Sequence, residues 1–344
     1  EEERKGLARE EERGLRVEEA TRRLVERKDR TFQEVGHRLY QQTVGALARC
    51  PGKVRRLQWV KALQHGGAGG SSVGGSESVL ACCRDPADGN MYLCRFLVCQ
   101  YDEDVDFALE QLRVHEDELS NCPFVMRLFG ASSAFCVPVV SNNTGLLQAR
   151  VRVVVSVLSF CPGGNVADYC GNGSGGSSGG LDNDSAVRWA KDCAAGLRAL
   201  HAKGLTHRNL NPKNVHLDAR GRAVLTGFQV LKNPRAPGDL YSLGRADCGS
   251  YNVVSPEVDE GHPVSPAADV WALGCCLLAW VSGDVEGGSS LARVRERSLE
   301  EILRRVPRRF GPKIRSALRM ALQHHPEHRA SAADLWKLLS TSHN

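Results

Sequence analysis

The sequence predicts an α+β fold of two lobes, a small lobe built on a five-stranded sheet and a large helical lobe, preceded by an N-terminal helical extension. Three observations predict it. Residues 1–62 place apolar side chains at helical intervals, residues 63–160 contain alternating strand-like runs, and residues 161–344 are dominated by helical periodicity. We therefore expect the extension to cover 1–62, the small lobe 63–160 and the large lobe 161–344.

The composition is that of a globular protein. The chain has 344 residues, of which 42% are hydrophobic and 25% are charged, and its formal net charge is +5. The whole basic excess falls within residues 1–62, and the rest of the chain is neutral. A nucleic-acid-binding protein needs a concentrated basic surface to neutralise phosphates, so we expect no nucleic-acid partner. No run reaches the roughly 20 apolar residues of a membrane span.

Thirteen cysteines are many for a cytosolic domain, yet none forms the C-x-x-C pair that is typical of zinc sites. Cys82 and Cys83 lie across a predicted hairpin from Cys94, close enough for a disulfide to be conceivable. Cys275 and Cys276 fall in a predicted buried helix, where thiols behave as small hydrophobic groups.

The extension has two possible roles. Its apolar residues recur at helical intervals, as shown by Val17, Leu24, Phe32, Val35, Leu39, Val44 and Leu47. One interpretation is a helix packed on the core, with its charged residues facing solvent. The other is an Arg-rich amphipathic surface over residues 1–62 that contacts an anionic membrane or a partner. The acidic residues mixed into the extension weaken the membrane interpretation.

The small lobe begins with a glycine-rich stretch at residues 65–75, which is typical of a flexible linker and lacks the G-x-G-x-x-G spacing of a phosphate-binding loop. Alternation and turn residues then predict strands at 78–84, 91–98, 134–140 and 150–160, with a helix at 104–119.

In the large lobe, helical spacing predicts a helix at 186–203 and an apolar helix that runs from Asp269 through Val281. Between them lies the segment 207–230, which reads HRNLNPKNVHLDARGRAVLTGFQV. Ser255-Pro256-Glu257 precedes the apolar helix, and His325-Pro326-Glu327-His328-Arg329 follows it near the end of the chain.

The segment 207–230 resembles the catalytic loop of eukaryotic protein kinases and the metal-binding turn that follows it. Active members of that family read His-Arg-Asp at the start of the loop, with the Asp as catalytic base. Here His207 and Arg208 match, but Asn209 stands at the base position, and an amide cannot accept the proton of an attacking hydroxyl.

The metal-binding positions are only partly retained. Asn214 matches the second metal ligand of the family, whereas the Asp-Phe-Gly position reads Gly227-Phe228-Gln229. The carboxylate that would hold the metal is therefore missing. We expect neither a bound metal nor a cofactor.

The residues at the positions that match the family's nucleotide cleft are altered as well. Arg95 stands where the family has its phosphate-binding Lys, and Leu93 stands where a small Ala makes room for adenine. The resemblance implies that Arg95 pairs with a carboxylate of the following helix. Glu110 has the usual separation from Arg95, and Glu116 and Glu118 remain alternatives.

The positions that hold the large lobe together in the family are kept. The resemblance implies structural roles for His207 and Arg208, an ion pair between Glu257 and Arg329, and an Asp269 carboxylate that accepts hydrogen bonds from the backbone of the catalytic loop. The retained residues support the fold, whereas the altered ones would handle nucleotide, metal and proton.

This pattern predicts a catalytically inactive pseudokinase that acts as a protein-interaction scaffold and does not bind ATP. One alternative is a nucleotide-gated switch in which Arg95 and Asn214 hold ATP. Another is an atypical active Ser/Thr kinase that uses a carboxylate from elsewhere, such as Asp218.

The helical extension, the missing glycine loop and the many cysteines also resemble the secreted rhoptry and with-no-glycine-loop kinases of apicomplexan parasites. This resemblance implies secretion into the parasitophorous vacuole or cyst wall and a role in a protein assembly there. Three N-x-S/T sequons, at Asn142, Asn172 and Asn183, are compatible with a secreted protein.

Overall fold

The expected two-lobed α+β architecture is confirmed. A computed structural model describes residues 33–34, 36–43, 57–63, 78–99, 102–119, 121–136, 151–171, 181–227, 253–283, 294 and 298–341. Within these residues a five-stranded antiparallel sheet forms the small lobe, and helices build most of the large lobe. None of the described helices combines the length and the apolar character needed to cross a bilayer.

The small lobe contains five strands and one long helix. The strands are β1 Gln58–Leu63, β2 Ser78–Arg84, β3 Met91–Cys99, β4 Leu128–Cys136 and β5 Val151–Ser159. They pair in the order β1-β2-β3-β5-β4, and helix α1, Asp102–Leu119, connects β3 to β4. Strand β5 leads directly into the segment that joins the two lobes.

Two predicted boundaries differ from the structure. Strand β1 lies inside the region 1–62 that was predicted to be an extension, so the small lobe begins before Gln58. Strand β4 covers Leu128–Cys136 instead of starting at residue 134. Its middle consists of small residues, Gly130 to Ser133, which give no apolar alternation, so only its pairing with β5 defines the strand.

The large lobe is built around one buried helix. Its elements are α2 Val166–Gly171, α3 Asn183–Ala202, β6 Val215–Leu217, β7 Ala223–Leu225, α4 Pro256–Asp259, α5 Pro266–Ser282, α6 Leu299–Arg305, α7 Pro312–Ala321 and α8 Ala332–Ser340. Helix α5 is buried at every position from Asp269 to Val281. A helix that is apolar on all sides packs at the centre of its domain, and α5 forms the core of the lobe.

The described part of the extension packs on the sheet. Residues 36–43 are helical, and Leu39 joins the apolar layer formed by Cys94 and Phe96 of β3. The Gln33 side chain accepts a hydrogen bond from the Ala62 N–H at 2.7 Å and donates one to the Ala62 carbonyl at 2.8 Å. The Gln33 amide therefore satisfies the backbone N–H and carbonyl groups of Ala62 on the free edge of β1, as a neighbouring strand would.

The packed interpretation thus holds for residues 36–43. All the other residues that showed the helical pattern, Val17, Leu24, Phe32, Val35, Val44 and Leu47, lie outside the described residues. The membrane contact predicted for residues 1–62 stays a prediction.

Two further predictions concern covalent modification. Cys82, Cys83 and Cys94 are reduced thiols in the structure, so the conceivable disulfide is not formed. Of the three sequons, Asn142 and Asn172 lie outside the described residues. Asn183 lies at the start of α3, where its Oδ1 accepts a hydrogen bond from the Gly311 N–H at 2.9 Å.

The packing of the extension makes a testable prediction. Replacing buried Leu39 by Ala should lower the free energy of unfolding by about 2–4 kcal/mol, because the substitution leaves a cavity against β3. Arg38→Ala, on the exposed face of the same helical segment, is the matched control and should change it by less than about 0.5 kcal/mol. Urea denaturation measures both. Equal stability of the two variants would show that the segment does not pack on the sheet in solution.

Candidate functional site

The loop that follows α3 is held by one buried carboxylate. Asp269 of α5 accepts hydrogen bonds from the backbone N–H of His207 at 2.8 Å and of Arg208 at 2.9 Å. It also accepts one from the His201 ring at 2.9 Å. Burial alone would raise the pKa of the Asp269 carboxyl, but these hydrogen bonds outweigh burial and lower it below its ordinary value. Asp269 therefore has the structural role that the resemblance implied.

The backbone of the loop is unusual at Arg208. Its φ of +63° lies in the left-handed region, and it is the one non-glycine residue among the described ones with a positive φ. Such a conformation costs about 1–2 kcal/mol for an L-residue and persists because surrounding contacts impose it. His207 next to it is buried, which lowers its pKa, and its Nδ1 accepts a hydrogen bond from the Asn209 N–H at 3.3 Å.

At the base position, Asn209 is part of a network of amide and backbone groups. Its Nδ2 donates to the Gly227 carbonyl at 3.0 Å, and its own carbonyl accepts a hydrogen bond from Asn214 Nδ2 at 2.7 Å. Asn211 Nδ2 also donates to the Asn209 carbonyl, at 3.3 Å. The backbone N–H of Thr226 donates to the Asn214 carbonyl at 2.9 Å. The network contains no carboxylate, so it offers no general base.

Gly227 occupies space that a larger residue could not share with Asn214. Its φ is +76°, and a Cβ built on it would lie 2.5 Å from Asn214 Cγ and 2.7 Å from both Nδ2 and Oδ1. An Asp at position 227 would therefore require Asn214 to move. The two residues at the predicted metal positions lie in contact, but only one of them has a side chain. Phe228, the next residue of the motif, lies outside the described residues.

No carboxylate from elsewhere replaces the missing ones in the described part of the chain. Asp218, the alternative candidate, accepts hydrogen bonds from the backbone of Arg220 and Arg222 and pairs with the Arg222 guanidinium at 2.7 Å. It stabilises the turn between β6 and β7. Among the described residues, no group of three or more His, Cys, Asp or Glu side chains is arranged to hold a metal ion.

Apolar side chains occupy the region between the sheet and the β6–β7 hairpin. Leu93 of β3 and Leu158 of β5 pack against a buried cluster of Met126, Cys161 and Val224. Burial raises the pKa of the Cys161 thiol to about 12, so this residue is not a thiolate nucleophile at neutral pH. The large side chain of Leu93 is thus built into the cleft, as its position in the sequence suggested.

Arg95 is not paired with a carboxylate of α1, contrary to prediction. Glu110 lies 3.7 Å from Arg113 instead, and its side chain is 62% exposed. Glu118 pairs with Lys203 at 2.6 Å, and Glu116 is exposed.

The orientation of α1 explains this difference. The helix directs Val105, Ala108, Leu109 and Leu112 towards the sheet. Glu110 therefore lies on a different face of the helix.

Arg95 lies in the interior of the sheet. It lies between Leu80 of β2 and Ser156 of β5 in the sheet. Burial lowers the pKa of the Arg95 guanidinium from its ordinary value to about 10, so Arg95 remains a cation at neutral pH. It forms neither a hydrogen bond nor a salt bridge with any residue that the structure describes.

The predicted ion pair between Glu257 and Arg329 is present. The two guanidinium nitrogens of Arg329 donate to the two carboxylate oxygens of Glu257 at 2.8 and 3.0 Å. Arg329 also donates to the carbonyls of Ala267 and Gln323 and lies over the ring of Trp271. Burial would raise the pKa of Glu257, but the hydrogen bonds from Arg329 outweigh burial and lower it. This bidentate pair joins α4 and α5 to the C-terminal part of the lobe.

Sequence reasoning missed two features of the site. The carbonyl of Gly227 and the backbone of Thr226 are parts of the amide network, and no sequence pattern identifies a backbone acceptor. His201 is the second missed feature. It lies in the last turn of α3, six residues before His207, and its position near the end of the predicted helix was the available signal.

Comparison with known proteins supports the resemblance at the family level. The family model described as "Protein kinase domain" matches residues 112–338, about two thirds of the chain. Among curated proteins, the chain is 29% identical over 237 residues to atypical protein kinase C from Drosophila melanogaster. That alignment covers 66% of this chain and 35% of the relative, so the chain spans about a third of the relative's length.

The Glu257–Arg329 pair can be tested by substitution. Arg329→Met should lower the free energy of unfolding by about 3–5 kcal/mol, because it leaves the Glu257 carboxylate buried without its partner. Glu260→Gln, on an exposed side chain close in sequence, is the control and should change stability by less than about 0.5 kcal/mol. Chemical denaturation at pH 7 measures both values. An Arg329→Met variant as stable as the control would contradict the pair.

The contact between Gly227 and Asn214 is testable with a matched glycine. Gly221 also has a positive φ, but a Cβ added there would meet open space. Gly221→Ala should therefore lower the free energy of unfolding by only about 1–2 kcal/mol, through backbone strain. Gly227→Ala should cost about 1–3 kcal/mol more, because its Cβ meets Asn214. Adding Asn214→Ala should recover most of this extra loss in a double-mutant cycle. Equal losses of unfolding free energy in Gly221→Ala and Gly227→Ala would rule out the contact between position 227 and Asn214.

Proposed function

The chain belongs to the protein kinase domain family, and from this membership we propose that it is a pseudokinase, a catalytically inactive member that acts as a protein-interaction scaffold. One observation carries the proposal. The base and metal positions are filled by an amide network in which Asn209 donates to Gly227 and the Asn214 side chain occupies the space of a Cβ at 227.

The chemistry of phosphoryl transfer explains why these residues matter. A general base contributes about 10²–10⁴-fold to the rate, and the metal ions neutralise charge that develops on the transferred phosphoryl group. Asn209 cannot take a proton at neutral pH, and Gly227 offers no side-chain ligand. With both functions removed from these positions, no group described near them would activate a hydroxyl or hold the metal that the reaction needs.

The apolar cleft supports the second part of the proposal, which is that ATP does not bind. Leu93 and Leu158 fill the region beneath the sheet with branched side chains. A purine base that entered there would have to displace this packed cluster.

The scaffold role follows from what the fold retains. The Asp269 hydrogen bonds and the Glu257–Arg329 pair connect the elements of the large lobe through contacts within the chain. A rigid domain of this kind can present surfaces to partner proteins. Secretion, a location in the parasitophorous vacuole or cyst wall, and membership of the apicomplexan rhoptry and with-no-glycine-loop kinases stay predictions of the sequence.

A second candidate function is a nucleotide-gated switch, and one observation favours it. Arg95 of β3 carries a positive charge that burial penalises, and no described residue pairs with it. A desolvated guanidinium without a partner is costly and would be stabilised by a bound anion such as a phosphate. In this alternative Arg95 holds a nucleotide without a metal, and the lobes respond to its binding.

Nucleotide titration and an activity assay test the proposal. With 1 mM ATP and magnesium, we expect less than about 0.4 kcal/mol of stabilisation in thermal melts, which corresponds to a Kd no tighter than about 1 mM. We also expect no transfer of labelled phosphate to the chain itself or to a generic protein substrate. Transfer above that of a heat-denatured sample would contradict the proposal.

A single variant separates the two candidates. If ATP binds without magnesium and Arg95→Ala abolishes binding while Arg84→Ala, on an exposed side chain of β2, does not, the switch is favoured. Absence of binding to all three proteins favours the scaffold.

A further inference from the structure

Four arginines lie close together where α6 ends and the chain turns towards α7. We define the basic turn as residues 304–309, and its four arginines, Arg304, Arg305, Arg308 and Arg309, are exposed. From residue 298 to residue 319 the chain has seven basic residues and two acidic ones, whereas residues 63–344 as a whole are neutral. The turn therefore concentrates positive charge on a lobe that otherwise has none in excess.

The turn is held in a defined conformation from both sides. Val306 within it and Phe310 directly after it are buried in the core of the large lobe. The Phe310 N–H donates to the Pro307 carbonyl at 3.1 Å, which closes the turn. The Gly311 N–H then donates to the Asn183 side chain at 2.9 Å. The arginines at the tip, Arg308 and Arg309, are thus displayed by a fixed backbone.

A common structural role for basic residues at this position is already filled. Cations near the end of a helix usually stabilise its free carbonyl groups. Here the Arg315 guanidinium donates to the carbonyls of Leu303 at 2.8 Å and Val306 at 2.9 Å, and to that of Pro307 at 3.3 Å. The four arginines of the basic turn are therefore not needed as caps.

Two acidic side chains of α6, Glu300 and Glu301, are among the described residues near the turn. Glu300 lies 3.6 Å from Arg319, and Glu301 accepts a hydrogen bond from the Ser298 N–H at 3.0 Å in the capping box that starts α6. Arg304 and Arg308 form neither a hydrogen bond nor an ion pair with any described residue. Arg309 lies 4.9 Å from the centre of the Phe310 ring, which leaves its charge exposed.

We propose that the basic turn is a docking site for an acidic segment of a partner protein, a short run of Asp and Glu side chains. Guanidinium groups bind carboxylates through paired hydrogen bonds, and all four residues are Arg instead of Lys. This inference rests on the proposed scaffold role, because it names the chemistry of a partner that the scaffold would bind.

Two other classes of anionic partner fit the turn less well. A membrane surface is usually bound by exposed apolar side chains together with basic ones, and the apolar residues here, Leu303, Val306 and Phe310, are buried. Single-stranded nucleic acid is bound by exposed aromatic rings on which bases stack, and the aromatic residue of the turn is the buried Phe310.

A binding experiment with a defined probe tests the docking site. The probe is a fluorescein-labelled peptide of twelve alternating Asp and Glu residues, titrated with the full chain at low and at physiological salt. The test variant is Arg304→Glu, Arg308→Glu and Arg309→Glu together. The matched control is Arg38→Glu, Arg84→Glu and Arg113→Glu, which changes the net charge equally through exposed residues of the small lobe. Thermal melts check that each variant is folded.

We expect the test variant to bind the peptide at least about tenfold more weakly than the natural chain, and the control to remain within about twofold. Binding should also weaken as salt is raised. If the charge-reversed variant is unfolded, Arg304→Gln, Arg308→Gln and Arg309→Gln replaces it and should show a loss in the same direction.

Three outcomes would overturn the proposal. The first is an equal loss of peptide affinity in the test variant and in the control variant, which would show that net charge alone attracts the peptide. The second is the absence of binding to the natural chain. The third is tighter binding of phosphatidylserine vesicles or of a twelve-nucleotide RNA than of the peptide, abolished by the same test variant. Peptide binding is measured without nucleotide, so the docking site and the inactivity proposed above can fail independently.

Discussion

The geometry of the candidate functional site depends on the carboxylate of Asp269. It lies on the central buried helix of the large lobe and binds the backbone N–H groups of His207 and Arg208 together with the ring of His201. A charge in this environment is costly unless several donors surround it, and three donors are present. Their attachment to one carboxylate holds Arg208 in its left-handed conformation and so determines where the next residues of the loop lie.

The position of the loop decides what the altered residues can do. Asn209 and Asn214 are brought close to the backbone of Gly227. The Asn209 side chain donates to the Gly227 carbonyl, and the Asn214 side chain donates to the backbone carbonyl of Asn209. These hydrogen bonds satisfy the amide N–H groups within the chain. The loop backbone that in active family members places the catalytic and metal-binding groups here places two amides and a glycine, and the pseudokinase proposal rests on this difference.

The sequence predicted contacts correctly where family motifs identify both partners. The partners Glu257 and Arg329, 72 positions apart, were paired correctly because the resemblance supplied a long-range contact that periodicity cannot. It failed for Arg95 and Glu110, where spacing suggested a pair but the rotation of α1 directs Glu110 to solvent and leaves it near Arg113. The start of β4 was also misplaced, because a strand made of small residues is defined only by the strand with which it pairs.

The sequence by itself determined the fold class, the order of the motifs and the absence of carboxylates at positions 209 and 227, because these depend on residue identity and local periodicity. The tertiary structure decided which residues meet: Asn214 with Gly227, residues 36–43 with the sheet, and Arg315 with the carbonyls beneath the basic turn. Such contacts depend on how helices rotate and how loops close, and these are set by packing between distant segments. A changed residue at a motif position can therefore be recognised in the sequence, whereas the contacts that this residue makes have to be observed in three dimensions.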